Sequence, residues 1–106
     1  MIIITVELKA KPGMEKEVED SLVAFLPHVS MKGIYMYYVH RAIDDPGSFM
    51  FYEQYESKEA ADASEKSPSL EELKMKLDGK LSEVPVETHH ELIGWINSFP
   101  GRTCSF

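Results

Sequence analysis

Ile2, Ile4, Val6 and Leu8 alternate with Ile3, Thr5, Glu7 and Lys9 at the start of the chain. A period of two, rich in β-branched residues, predicts a strand. Lys11-Pro12-Gly13 ends it. The period then changes. Met14, Val18, Leu22, Phe25 and Leu26 recur at helical spacing among Glu15, Lys16, Glu17, Glu19 and Asp20, which predicts an amphipathic helix of about three turns. Pro27 is expected to stop that helix, and Met31-Lys32-Gly33 to form a return loop.

Two strands are predicted next, Ile34 to Ile43 and Ser48 to Glu56, joined as a hairpin by the turn signal Asp44-Asp45-Pro46-Gly47. Alternation is poor here, because Tyr35, Met36, Tyr37, Tyr38 and Val39 run consecutively. Such a run implies a sheet covered on both faces, by helices on one side and by a second subunit on the other. Ser57 caps a short predicted helix from Lys58 to about Lys66. Ser67-Pro68 restarts the chain, with Ser69 and Glu72 as an alternative capping box. Leu70, Leu73, Leu77 and Leu81 mark a further helix, and Val84 to Ile96 a long final strand.

The order β-α-β-β-α-α-β predicts an α+β fold: a ferredoxin-like sandwich, with an antiparallel four-stranded sheet carrying helices on one face. The bare face is the expected homodimer surface. One domain spans residues 1–96, with a loop-like tail over 97–106.

Composition narrows the function. The chain has 106 residues, 43% of them hydrophobic and 27% charged, as in a globular domain. Eleven basic residues face 18 acidic ones, for a net charge of −7. That balance argues against nucleic acid and against an anionic membrane surface as partners. A single cysteine, Cys104, permits no intrachain disulfide and no Cys-rich metal site. Neither a signal peptide nor a membrane span is evident, so a cytoplasmic location is expected.

Several landmarks occur in order: Lys9-Ala10-Lys11-Pro12-Gly13 after the first strand, then Gly33, Tyr37 and His40-Arg41. The Asp44-Asp45-Pro46 turn, Phe51-Tyr52-Glu53-Gln54-Tyr55-Glu56-Ser57, Lys58-Glu59-Ala60 and Ser67-Pro68 follow. Together they resemble the antibiotic biosynthesis monooxygenase family over roughly Ile2 to Trp95. The resemblance implies a dimeric α/β barrel, with a pocket between sheet and helices in each subunit. Some members oxidise aromatic polyketides or quinols with O₂, without metal or flavin; others degrade haem or process small signalling molecules. Where many members carry histidines, this chain has Ser64 and Ser69, which argues against haem degradation. The resemblance therefore implies no cofactor.

Candidate site residues follow, each with a structural alternative. His40 is a base available near neutral pH, or it packs beside the Asp44-Asp45 turn. Tyr55 is the second candidate catalytic residue, or a core ring. Phe51 and Glu53 share its strand face. A carboxylate and a phenol beside an aromatic wall suit a phenolic ligand, although Glu53 also has Arg41 as a potential partner across the hairpin. Tyr37 is a further candidate lining residue. Trp95 suits stacking on a flat ligand, or packing in a core or interface. His89 and His90 are adjacent in a strand and point to opposite faces, so they do not jointly bind one metal, and no metal site is expected. The reading is a monooxygenase-like protein acting on a small aromatic or quinol-type molecule. The alternative is a non-catalytic or stress-related dimeric barrel that binds a small ligand.

Overall fold

A computed structural model describes residues 1–96. The expected tail, with Cys104, lies outside the described residues. The elements are β1 (Ile2–Lys9), α1 (Glu15–Phe25), β2 (Ile34–Ala42), β3 (Asp45–Tyr55), α2 (Lys58–Glu65), α3 (Pro68–Leu77) and β4 (Val86–Glu91). The strands form one antiparallel sheet in the order β2-β3-β1-β4. The α+β sandwich and the order of its elements are as the sequence pattern predicts. Among the described residues no helix is long and apolar enough to cross a membrane.

The helices cover the sheet face that carries Ile4 and Leu8 of β1 and Phe49, Phe51, Glu53 and Tyr55 of β3, all buried. Val18, Leu22 and Phe25 recur at i, i+4 and i+7 along α1 and are buried against this face, together with Leu73 and Leu77 of α3. Ile4, Ile34, Tyr55 and Ala61 of α2 make a second, contiguous group. Apolar burial at these positions supplies the main stabilisation.

The caps hold the helices over the site. Ser57 Oγ accepts the Ala60 N–H at 3.2 Å, and Ser67 Oγ accepts the Leu70 N–H at 3.3 Å, with Pro68 in the first turn of α3. The Ser69 box is not used: its hydroxyl donates to the His28 carbonyl instead, at 3.3 Å. Gly33 has a positive φ of 73°, and a Cβ there would lie 2.8 Å from that of Ala60. Only glycine lets the return loop pass this close to α2.

As expected, α1 ends before Pro27, which enters a separate 3₁₀ turn over Leu26–His28. Two local expectations are corrected. The β2–β3 turn lies at Ile43-Asp44, while Pro46 and Gly47 fall inside β3; Asp45 is held there by an ion pair with Lys9. The last strand is only Val86–Glu91, not Val84–Ile96, because its pairing with β1 ends where β1 begins, at Ile2↔Glu91.

The run of aromatics in β2 holds an irregularity that the sequence pattern does not show. Ile34 pairs with Tyr55, and Met36 with Gln54, leaving Tyr35 as an extra residue in a bulge. The bulge resets which side chains face the helices. Ile34 and Tyr37, three apart, both point to the covered face, and Tyr37 lands directly opposite Glu53. Register places Tyr38, His40, Met50, Tyr52, Thr5, Val86 and His90 on the other face. On that face Ile3 is buried, while Tyr38 and Val86 are exposed.

Truncating Leu22, fully buried on α1, is expected to cost about 2–5 kcal/mol of stability in Leu22→Ala. The same change at exposed Met75 is expected to cost less than about 0.5 kcal/mol. Calorimetric melting of the two variants checks the placement of α1 and α3.

Candidate functional site

Where the helices stand away from the sheet they leave an open cavity of about 830 Å³ between β1, β3 and β4 on one side and α2, α3 and the loop after α3 on the other. Val6, Leu8, Leu70, Leu73 and Leu77 make its apolar surface. Phe51 and Tyr37 form an aromatic wall. Their rings meet edge to face at 5.6 Å, and Phe25 closes a triangle at 5.9 Å from Tyr37 and 6.1 Å from Phe51. Such edge-to-face pairs fix ring orientation and contribute about 0.5–1.5 kcal/mol each beyond area burial.

One carboxylate stands in this apolar setting. Glu53 lies near the end of β3 and is only 6% exposed. It is flanked by Phe51 and Tyr55 along its strand, and by Ile4 and Tyr37 across the sheet. The Tyr55 hydroxyl donates to Glu53 Oε1 at 2.6 Å, and lies 3.2 Å from Ser64 Oγ on α2. Tyr37 stands directly opposite Glu53 on β2. Among the described residues no buried side-chain polar atom lacks a partner.

The electrostatics follow from this placement. Burial pushes the Glu53 carboxyl up to about 7, because a charge is costly away from water; the bond from Tyr55 opposes the shift, and the nearby Glu87 charge adds to it. The Tyr37 and Tyr55 hydroxyls are pushed well above the ordinary phenol range, mainly by burial and further by Glu53. Both tyrosines therefore keep their protons at neutral pH and are not bases. Glu53 is the group that exchanges a proton there.

Of the residues singled out in the sequence, Tyr37, Phe51, Glu53 and Tyr55 meet in this cavity. His40 does not join them. It lies on the opposite sheet face, its Nδ1 is 3.3 Å from the Met50 carbonyl, and it borders a separate cleft with Arg41 and Met50. Neither the Asp44-Asp45 turn nor Glu53 takes the partner expected from the sequence: Arg41 pairs with Glu19 of α1. Trp95 follows the end of β4, is 79% exposed and does not line the cavity.

Three residues at the cavity escaped sequence reasoning. Ser64, read there only as a missing histidine, is the second partner of Tyr55. Glu65 from the end of α2 and Glu87 from β4 both stand at its edge. His89 Nε2 lies 2.7 Å from Glu87 Oε2 and 3.9 Å from Glu65 Oε1. The ligand atoms of Glu65, Glu87 and His89 all lie within 4.8 Å of one another, and the three side chains are exposed. They are the residues of the described chain whose spacing suits a shared cation. His90 points away from them, towards Thr5 at 3.4 Å.

A carboxyl raised by burial stabilises the fold below its ordinary value near 4.5, and that contribution is lost as pH rises through about 7. Glu53→Gln removes the dependence while keeping an acceptor for Tyr55. Relative to the unsubstituted protein, the variant is expected to gain stability between pH 5 and pH 8, by on the order of 3 kcal/mol at most. Denaturant unfolding at the two pH values checks this; an unchanged difference would place the Glu53 carboxyl in water.

No functionally curated protein matches the sequence. Among solved structures, a Nitrosomonas europaea protein named for the antibiotic biosynthesis monooxygenases superposes with a TM-score of 0.83 at 15% identity, covering 89% of this chain and 100% of that one. A similarly named Deinococcus radiodurans protein gives 0.80 at 20% identity, covering 92% and 98%. One from Caulobacter crescentus gives 0.81 at 18%, covering 88% and 90%. At these identities the likeness establishes the shared fold. The sequence profile of the antibiotic biosynthesis monooxygenases matches residues 1–74, from β1 into α3. The chain belongs to the antibiotic biosynthesis monooxygenase family.

Proposed function

We propose that the protein is a cofactor-independent monooxygenase for a small aromatic of phenol, anthrone or quinol type. The observation that carries this reading is the buried Glu53 carboxylate, bonded to the Tyr55 hydroxyl inside an aromatic-walled cavity. Near neutral pH this group is poised to accept a proton from a phenol or enol. The apolar walls exclude water from the resulting anion, and the Tyr55 and Tyr37 hydroxyls steady the negative charge as it shifts between Glu53 and the substrate oxygen.

The substrate supplies the electrons. Its anion gives one electron to O₂, and the radical pair combines into a peroxide at the ring carbon. That carbon loses its remaining hydrogen as the O–O bond breaks. One oxygen stays as a carbonyl and the other leaves as water, so a ring CH₂ and O₂ become C=O and H₂O. In this scheme Glu53 is the base, Tyr55 the orienting donor, and Tyr37 and Phe51 the wall on which the ring rests. His40 and Trp95 have no part within one subunit.

The protein acts as a homodimer in this proposal. The bare sheet face, with Tyr38, Met50, Tyr52 and Val86, is the surface that a second copy covers, as apolar strands left open to water favour burial.

Oxygen uptake against a panel of anthrones and quinols tests the activity. Turnover is expected to rise with pH through about 7. Glu53→Gln is expected to lower kcat/KM by about 100-fold or more, and Tyr55→Phe by about tenfold, with His40→Ala close to the parent. Binding without uptake across the panel would favour a non-catalytic ligand-binding barrel. Light scattering is expected to give a dimer that Tyr52→Glu converts to a monomer; a monomeric parent would contradict the assembly.

A further inference from the structure

Charge around the cavity is one-sided. Glu53, Glu65, Asp78, Glu83 and Glu87 line it, against a single base, Lys74. The Lys74 ammonium is turned to Glu71 on its own helix, at 3.5 Å. Glu53 is answered by the Tyr55 hydroxyl. The pair at the edge is answered differently: Glu65 and Glu87 come from different elements, α2 and β4, and meet with only His89 between them. Burial and the Glu87 charge both push the Glu65 carboxyl up. Two carboxylates held together at the edge of a low-dielectric cavity attract a cation and repel an anion.

The sheet register fixes where that edge lies. Glu53 and His89 flank Ile4 on neighbouring strands, with Glu87 one pleat further along β4. The strands that carry Glu53 and Glu87 therefore lie two strand spacings apart, about 9–10 Å between backbones. A phenol ring carrying a short aminoalkyl arm is on this scale.

We propose that the cavity selects phenols that bear a cationic amine, with the hydroxyl at Glu53 and Tyr55 and the ammonium between Glu65 and Glu87. This rests on the phenol-binding reading above and adds the charge of the substrate. The apolar span of Val6 and Leu70 to Leu77 lies beside the ring and arm. Carboxylated or phosphorylated aromatics are disfavoured, because each would add a negative charge to a collar that already carries several.

Calorimetric titration with three phenols of similar size separates this inference from its foundation: tyramine, 4-ethylphenol and 4-hydroxyphenylacetate, at neutral pH in the presence of EDTA. Tyramine is expected to bind about tenfold more tightly than 4-ethylphenol, and 4-hydroxyphenylacetate most weakly. The double variant Glu65→Gln/Glu87→Gln is expected to abolish the tyramine advantage, so that tyramine and 4-ethylphenol bind alike. Equal binding of all three, or an advantage that survives in the double variant, would overturn the charge selection while leaving the phenol site standing. Failure of all three to bind would remove both. A second titration with Zn²⁺ alone distinguishes the other cation source: stoichiometric binding, lost in the double variant, would assign Glu65, Glu87 and His89 to a metal ion and overturn the amine proposal.

Discussion

A carboxylate buried on an otherwise apolar sheet face is the constraint around which this fold is arranged. Leaving Glu53 charged without partners costs several kcal/mol, and the surrounding elements each answer part of that cost. Tyr55, two residues along β3, donates at 2.6 Å. Tyr37 stands opposite Glu53 on the covered face because the bulge at Tyr35 turns it there. Ser64 on α2 gives Tyr55 a second partner, and α2 is set in place by the Ser57 cap and by the glycine at position 33. A group whose charge and proton are balanced this closely near neutrality is suited to moving a proton. The same balance makes the site a weak contributor to stability and a useful one to chemistry.

The division of the molecule follows from that arrangement. The core proper lies where α1 and α3 pack on β1 and β3, through Val18, Leu22, Phe25 and Leu73. The cavity lies beside it, where the helices no longer press on the sheet. Rigid strands carry Glu53, Tyr55, Phe51 and Tyr37, so their relative geometry is set by the ladder and not by a loop. The mouth, in contrast, is built from a helix end, the segment after α3 and the last strand. Within such a frame the strand face supplies the reacting groups, and the mouth supplies selection among ligands.

Much of this was legible from the chain, and the failures have physical causes. Periodicity placed β1, α1 and α3, the turn signal placed the β2–β3 hairpin, and Ser57 and Ser67-Pro68 placed two helix starts, because those patterns encode local preferences. Alternation within β3 also gathered Phe51, Glu53 and Tyr55 on one face. The sequence misled at β2, where a one-residue bulge changes the facing of every later side chain and leaves no local signature. His40 was singled out for its imidazole and not for its facing, and strand alternation sets it opposite to Tyr37. The end of β4 was misjudged because strand length is set by the partner strand, which stops at Ile2. Glu65 was invisible as a site residue, since its neighbours Glu87 and His89 are brought to it only by the sheet.

The most direct test of the account is the protonation state of Glu53 itself. Carbon-13 NMR of the side-chain carboxyl, followed against pH, reports it without reference to any substrate. The account predicts a midpoint near 7, moved higher still in Tyr55→Phe, where the charged form loses its closest donor. A midpoint in the ordinary carboxylate range near 4.5, indifferent to Tyr55, would contradict it.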